Sequence, residues 1–245
     1  MGGFAVLVFI KVRWLRLAFA SGAPLTVTLG IAMNETPNTS LIRSIATESL
    51  TDLLGNISET ALDATLESGV LRDIPIIGFI TGAFKATRDI RDALFLKKIA
   101  LFLKELSSVT QEQRAAFVQE VQTQNDQHRF GEALLLLLER AEDMKKPQIV
   151  GRLMAASIQG KLDQSKALRL CSIVDRCYVQ DFELLRSFRD GVQGEFTPIA
   201  EVLHAAGLIS NMGINGGDAS GNNSGIIYHV NEYGKLLVKH GLVDS

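Results

Sequence analysis

The chain has 245 residues, of which 47% are hydrophobic, so it can bury a sizeable core in one large domain or two modest ones. Its 25 basic and 27 acidic residues give a net charge of −2, which excludes a general electrostatic attraction to nucleic acid or anionic lipid. Any contact with such a partner must be local.

Residues 1–38 form an N-terminal extension with a pattern of its own. An apolar stretch at 4–10 is followed by basic residues and then by an uncharged run at 17–33, an order that resembles an export signal. A proline and two glycines interrupt that run, whereas a membrane-spanning helix needs about 20 mostly apolar residues. We expect the extension to be unstructured, or untranslated if synthesis begins at Met33, and membrane insertion or export stays open as the alternative.

From residue 39 to residue 190 the spacing of apolar residues is helical almost throughout. This pattern predicts a mainly α fold, a multi-helix bundle. Its helices are expected at about 39–54, 57–70, 76–106 with a break near Thr87, 110–125, 128–144, 147–159, 163–176 and 178–189.

Several helix ends carry local signals. Thr110 and Gln113 have the spacing of a capping box, and Asp163 can accept hydrogen bonds from the free amides of the helix that follows it. Pro147 suits a first helical turn. Gly69 and Gly160 stand where a residue in the left-handed conformation would close a helix.

Residues 73–106 are the most informative segment, because an uncharged apolar run leads directly into a basic helical pattern rich in Leu and Phe. One stripe of that helix carries Phe95, Ile99, Phe102 and Leu106, and Leu94 and Leu101 lie on the opposite side among lysines. A helix that is apolar on two sides is typical of the centre of a bundle. Gly78 and Gly82 also form a GxxxG pattern, which permits close helix approach but is weak in soluble bundles.

Seven basic and three acidic residues lie between positions 72 and 104, the local excess expected of a helix on an anionic membrane. We predict a candidate interaction surface here, formed by Arg88, Arg91, Lys97, Lys98 and Lys104. A buried core helix with a salt-bridged rim is the favoured alternative, since Lys85 and Asp89 are spaced for an intrahelical ion pair.

Composition changes after Asp190. A polar linker at 191–197 precedes an expected helix at 197–206, a short strand at 208–210, a floppy glycine-rich hairpin at 212–225, a strand at 226–230 and a helix at 231–240. This order resembles the end of winged helix-turn-helix domains and predicts a small winged-helix-like α+β subdomain at 191–245. Nucleic acid is nevertheless a less favoured partner than protein, because the helix at 197–206 has no basic residue except His204 and the hairpin at 213–225 has none.

The sequence contains no pattern that predicts a catalytic, metal-binding or cofactor-binding site. The four histidines (His128, His204, His229 and His240) lack ligand spacing, so we predict no metal site. Cys171 and Cys177 are six residues apart in a helical pattern, about 9 Å along the helix axis, and should be unpaired core thiols in a reduced, cytoplasmic setting. Catalytic and nucleotide-binding motifs are missing, so we predict no catalytic residue, no cofactor and no enzymatic activity.

The strings at 73–106 and 130–163, followed by the winged-helix-like end, resemble a group of helical proteins of bacterial accessory genomes. In layout the chain is also similar to the abortive-infection alpha family of phage-defence proteins. The resemblance implies a helical protein in phage defence or stress response that binds a protein partner, itself or an anionic membrane surface. A winged-helix nucleic-acid-binding regulator is the alternative function.

Overall fold

The computed structural model describes residues 36–83, 89–123, 127–187, 198–216 and 224–242. Over these ranges the protein is mainly helical and has a two-stranded antiparallel sheet near its C-terminal end, which confirms the predicted fold class of a helical bundle with a small α+β end. Most of the predicted N-terminal extension, the predicted break at Thr87 and the linker at 191–197 lie outside the described residues. The predicted division into domains stays a prediction.

The described helices and strands follow one another in a simple order. The helices are α1 (Pro37–Ile45), α2 (Leu50–Leu54), α3 (Glu59–Ser68), a 3-10 helix (Val70–Asp73), α4 (Pro75–Ala83), α5 (Ile90–Leu106), α6 (Gln111–Thr123), α7 (Gln127–Arg140), α8 (Lys145–Ile158), α9 (Gln164–Arg176), α10 (Asp181–Ser187), α11 (Pro198–Ala205) and α12 (Glu232–His240). Strands β1 (Ile209–Gly216) and β2 (Ser224–Val230) lie between α11 and α12.

Helix α5 occupies the centre of the bundle, as its two-sided apolar pattern predicts. It packs most extensively on α8 and also contacts α1, α2, α3, α4 and α7. Its C-terminal half is buried around most of its circumference, with Ile99, Phe102 and Leu106 on one side and Leu101 on the other. Helix α12 in turn packs on α8, α9 and α10, so the chain's C-terminal helix joins the same apolar core.

The prediction of one helix at 39–54 is wrong, because the segment forms α1 and α2 with a break at residues 46–49. The guanidinium of Arg114 in α6 donates hydrogen bonds to the carbonyls of Ile45, at 2.9 Å, and Thr47, at 3.1 Å. Those carbonyls are therefore satisfied from another helix, and the chain need not continue as a helix to pair them. The break arises from a tertiary contact, which local periodicity does not encode.

The structure confirms four of the predicted signals at helix ends. The Thr110 and Gln113 side chains each accept a hydrogen bond from the other residue's backbone amide, at 3.3 and 3.4 Å. Asp163 accepts one from the Lys166 amide at 3.1 Å. Gly69 and Gly160 have φ angles of 81° and 70°, in the left-handed region that favours glycine.

The predicted glycine-rich hairpin at 212–225 contains more regular strand than the sequence indicates, because β1 continues to Gly216 and β2 begins at Ser224. The two strands pair from Ile209 opposite Val230 to Gly216 opposite Ser224, with an irregularity between Asn211 and Ile214. Gly213 takes a φ of 122° there, and its amide donates to the Asn211 side chain at 2.8 Å. Gly213 thus lies in a β-bulge of β1, inside strands that are longer than the sequence predicted.

The GxxxG pattern in α4 does not mark a helix–helix contact. A Cβ atom at Gly78 would collide with the carbonyl of Arg72, in the 3-10 helix directly before α4. A Cβ atom at Gly82 would meet nothing within 4 Å. Gly78 is therefore needed for a tight connection to the preceding turn, and Gly82 has open space beside it.

Candidate interaction surface

The N-terminal half of α5 extends away from the core that encloses its C-terminal half. Ile90 is 77% exposed and Leu94 is 43% exposed, although both are large apolar side chains. Leu101, seven residues after Leu94 and on nearly the same side of the helix, is only 2% exposed. This stripe of α5 is therefore exposed to solvent in the N-terminal half of the helix and buried in the core in the C-terminal half.

We call the exposed part of this stripe, Ile90 and Leu94 with Arg91 beside them, the α5 surface. Arg91 is itself exposed. Single apolar residues on a protein surface need no explanation, but two that are adjacent on one helix turn form a patch. The sequence pattern places Leu94 opposite the main stripe but does not mark Ile90, and the exposure of both side chains depends on where the neighbouring helices end.

Lys97 and Lys98, predicted as interaction residues, are both engaged within the bundle. The Lys97 ammonium forms an ion pair with Asp63 of α3 at 2.7 Å. The Lys98 ammonium donates to the Glu139 carbonyl of α7 at 2.9 Å, and burial lowers the pKa of Lys98 while the Glu139 charge partly opposes this. Both lysines are therefore engaged by neighbouring helices, and Lys85 of the ion pair predicted for the rim lies outside the described residues.

The other predicted interaction residues are scattered. Arg91 is exposed on the α5 surface, Lys104 is half-buried near the opposite end of the helix, and Arg88 lies outside the described residues. The four described basic residues thus have three different environments. They do not form one continuous basic face, because helix α5 passes from solvent into the core between Arg91 and Lys104.

A half-buried charged cluster lies where α5 meets α8. Arg152 donates to the Gly241 carbonyl at 2.7 Å and lies 3.5 Å from a Glu105 carboxylate oxygen. Gln148, one turn earlier on α8, donates to Glu59 of α3 at 2.8 Å. The cluster joins α3, α5, α8 and the residue that follows α12, so its residues hold the C-terminal helix against the centre of the bundle.

Burial raises the pKa of the Glu105 carboxyl, and the charges of Arg152 and Lys104 offset only part of that effect. A raised pKa means that the folded protein holds this proton more tightly than the unfolded chain does. The contribution of Glu105 to the free energy of unfolding must therefore fall as the pH rises. The fall begins near pH 4.5, the ordinary pKa of a glutamate, and ends above the raised pKa of the folded protein.

We predict that Glu105→Gln removes this pH dependence. The difference in unfolding free energy, variant minus wild type, should become more positive between pH 4.5 and pH 7, since glutamine cannot ionise. Urea unfolding at several pH values measures that difference. Equal slopes for both proteins across this range would contradict the assignment, and Glu67→Gln, at an exposed position on α3, is the control.

Sequence reasoning missed three charged residues that the fold uses. Arg114 is fully buried, Arg152 holds the cluster described above, and the Lys146 ammonium is buried and donates to the Asp175 carbonyl at 2.8 Å. All three sit in helical patterns as ordinary polar residues, and no sequence signal marks them as buried.

Both cysteines are buried and unpaired, as predicted. Burial raises the pKa of the Cys171 thiol to about 12 and also raises the pKa of Cys177. Since the thiolate is the reactive form, neither sulfur is suited to nucleophilic or redox chemistry at neutral pH.

Within the described ranges, no three His, Cys, Asp or Glu residues are grouped so that they could hold a metal ion. Of the described helices, none combines the length and apolar composition needed to cross a bilayer.

Comparison with known proteins adds no family to this description. Protein-family models, curated proteins and solved structures were all searched, and none of them matches the chain.

Proposed function

We propose that this is a non-enzymatic helical protein that acts by binding a protein partner through the α5 surface. The exposure of Ile90 and Leu94 on a helix whose other half is the centre of the core carries the proposal. A partner helix or groove that covered these side chains would remove their apolar surface from water. This burial would stabilise the complex by about 25 cal/mol for each Å² of apolar area. The setting, phage defence or stress response in bacteria, is part of the proposal and rests on the resemblance in layout described above.

The local charges favour a protein over a lipid surface. An anionic membrane attracts each free cation near it by about 1 kcal/mol, so membrane binding needs several of them. Lys97 and Lys98 are already engaged by Asp63 and Glu139, and the exposed Asp89 lies one residue before Ile90. Arg91 remains as an exposed cation on the α5 surface. One such charge can help to orient a protein partner, but a membrane contact needs several.

Nucleic acid is the weakest of the three candidate partners. A winged-helix regulator would contact phosphate through basic residues on α11 or on the hairpin. The described residues of α11, β1 and β2 include no lysine or arginine. The regulator function stays an alternative that DNA-binding measurements at low and moderate salt would test.

The proposal is tested by site-specific photo-crosslinking in cells of the source organism. A photoreactive phenylalanine analogue replaces Leu94 in one variant and Val70, which is 55% exposed on the 3-10 helix, in a matched control. We expect a discrete crosslinked protein band from position 94 and none from position 70. The additional substitution Ile90→Asp should remove the band, since a buried carboxylate opposes an apolar contact.

Two results would overturn the proposal. Equal crosslinking from both positions would mean that the α5 surface is not selective, and no crosslink from position 94 under conditions where the protein is expressed would mean that nothing binds there. A different result would be flotation of the purified protein with anionic vesicles. If Ile90→Asp abolished that flotation, the partner of the α5 surface would be a lipid surface and not a protein. The double substitution of Lys97 and Lys98 by Glu is a poor probe, because it would place a carboxylate against Asp63.

A further inference from the structure

Helices α9 and α12 and the residues beside them carry a local excess of positive charge. Residues 161–177 and 231–242 contain six basic and three acidic residues, although the whole chain has a net charge of −2. The basic residues are Lys161, Lys166, Arg169, Arg176, Lys235 and Lys239, and the acidic ones are Asp163, Asp175 and Glu232. This part of the protein can therefore attract an anion that the chain as a whole does not attract.

The three carboxylates of this region are already engaged within the protein. Glu232 forms an ion pair with Lys166 at 2.5 Å, and Asp175 forms one with Arg140 of α7 at 3.2 Å. Asp163 accepts a hydrogen bond from the Lys166 amide at the start of α9. Over the described residues, no ion pair to a carboxylate involves the other exposed cations of the two helices, which are Arg169, Arg176, Lys235 and Lys239.

We call these four residues the basic face. Arg169 and Arg176 are two turns apart on α9, about 10 Å along its axis, and Lys235 and Lys239 are one turn apart on α12. All four side chains are exposed. Each helix therefore presents two cations to solvent, at a spacing that allows them to act together on an extended anion.

Two contacts join the α9 and α12 parts of the basic face into one surface. The exposed ion pair between Lys166 and Glu232 bridges the helices, one turn before Arg169 on α9 and one turn before Lys235 on α12. The Arg169 guanidinium also lies over the Tyr233 ring of α12, 5.7 Å from its centroid. The cations of the two helices thus flank one bridge on the solvent side of the protein.

The composition of this surface fits a phosphate backbone better than a lipid surface or an acidic protein. Over the described residues, none of the large apolar side chains that are exposed lies on α9 or α12. Binding at a membrane surface needs apolar side chains that enter the lipid, and the centre of a protein interface is depleted of charge. Phosphate contacts need only cations and hydroxyl donors, and the exposed Ser165 and Ser172 share one stripe of α9 with the two arginines.

We propose that the basic face binds the phosphate backbone of a nucleic acid without reading its base sequence. Arg169, Arg176, Lys235 and Lys239 are the phosphate contacts. This surface is separate from α11 and the hairpin, through which a winged-helix regulator would read sequence. It is also separate from the α5 surface, so this proposal and the proposed protein partner can each fail without the other.

Fluorescence anisotropy of short duplex DNA and single-stranded RNA tests the proposal with the full chain. We expect binding that weakens between about 50 and 200 mM salt, with a slope of log K against log salt concentration of about −3 to −4 for the duplex, since four phosphate contacts contribute about −0.9 each. A permuted base sequence should bind equally well.

The substitutions Arg169→Gln with Arg176→Gln, and separately Lys235→Gln with Lys239→Gln, remove half of the basic face at a time. Each pair should weaken binding at low salt by roughly fivefold or more and reduce the magnitude of the slope by about 2. All four positions are exposed, so the variants should keep the wild-type circular dichroism spectrum.

Arg72→Gln with Arg91→Gln is the matched control, because it removes the same charge from two exposed positions elsewhere. It should leave the affinity and the slope nearly unchanged. The absence of salt-dependent binding to either nucleic acid would overturn the proposal, as would equal losses in the control and the basic-face variants. Displacement of the nucleic acid by polyglutamate at the same charge concentration would overturn it in favour of an acidic protein partner.

Discussion

Replacing Arg114 with methionine should lower the free energy of unfolding by at least about 3 kcal/mol. Arg114 is fully buried and donates hydrogen bonds to the carbonyls of Ile45, Thr47 and Val109 and to the Thr51 hydroxyl. Methionine fills similar volume but leaves these acceptors without a donor inside the protein. Each buried acceptor left unpaired costs about 1–3 kcal/mol, and partial relaxation at the break between α1 and α2 keeps the total below the simple sum.

Urea unfolding followed by circular dichroism measures this loss. Arg91→Met, at an exposed position on α5, is the matched control and should change the unfolding free energy by less than about 0.5 kcal/mol. Arg114→Lys should recover only a minor part of the stability, because one ammonium cannot reach acceptors spread around a planar guanidinium. A loss below about 1 kcal/mol for Arg114→Met would show that these carbonyls find other donors.

Gly151→Ala should destabilise the protein by about 1–3 kcal/mol, through the contact between α5 and α8. A Cβ atom at position 151 would lie 2.7 Å from both the Phe102 carbonyl oxygen and the Glu105 Cβ atom. The carbonyl belongs to the backbone of the central helix and cannot rotate away. The two helices must therefore separate by several tenths of an ångström, which loosens the close packing at their contact.

Gly82→Ala provides the control for this prediction. Gly82 is also helical, but a Cβ atom there would meet nothing within 4 Å, so alanine should be neutral or raise the unfolding free energy by up to about 1 kcal/mol. Thermal and urea unfolding of both variants give the comparison. Similar effects of the two substitutions would contradict the close approach of α5 to α8.

The sequence predicted the features that depend on neighbouring residues. Helical spacing located the helices, and hydroxyl, carboxylate and glycine residues at Thr110, Asp163 and Gly160 marked helix ends that the structure confirms. These signals work because the capping group and the helix it caps lie within a few residues of each other.

Features that depend on distant residues were not predicted. The break after α1 depends on Arg114, which is 69 residues from Ile45, and no local pattern links them. The exposure of Leu94 and the burial of Leu101 have the same origin, because neighbouring helices cover only one half of α5. The interaction surface that we predicted from charge alone therefore grouped the exposed Arg91 with Lys97 and Lys98, which bind residues of neighbouring helices.

The most direct test of the open α5 surface compares thiol labelling rates in the folded protein. Leu94→Cys adds one thiol to a chain whose own two thiols, Cys171 and Cys177, are buried and serve as internal standards. We expect a maleimide reagent to label position 94 at nearly the rate found in the unfolded chain, and to label the two native thiols far more slowly. Labelling at position 94 as slow as that of Cys171 and Cys177 would show that the protein already covers this surface, and would contradict the proposal that it is available to a partner.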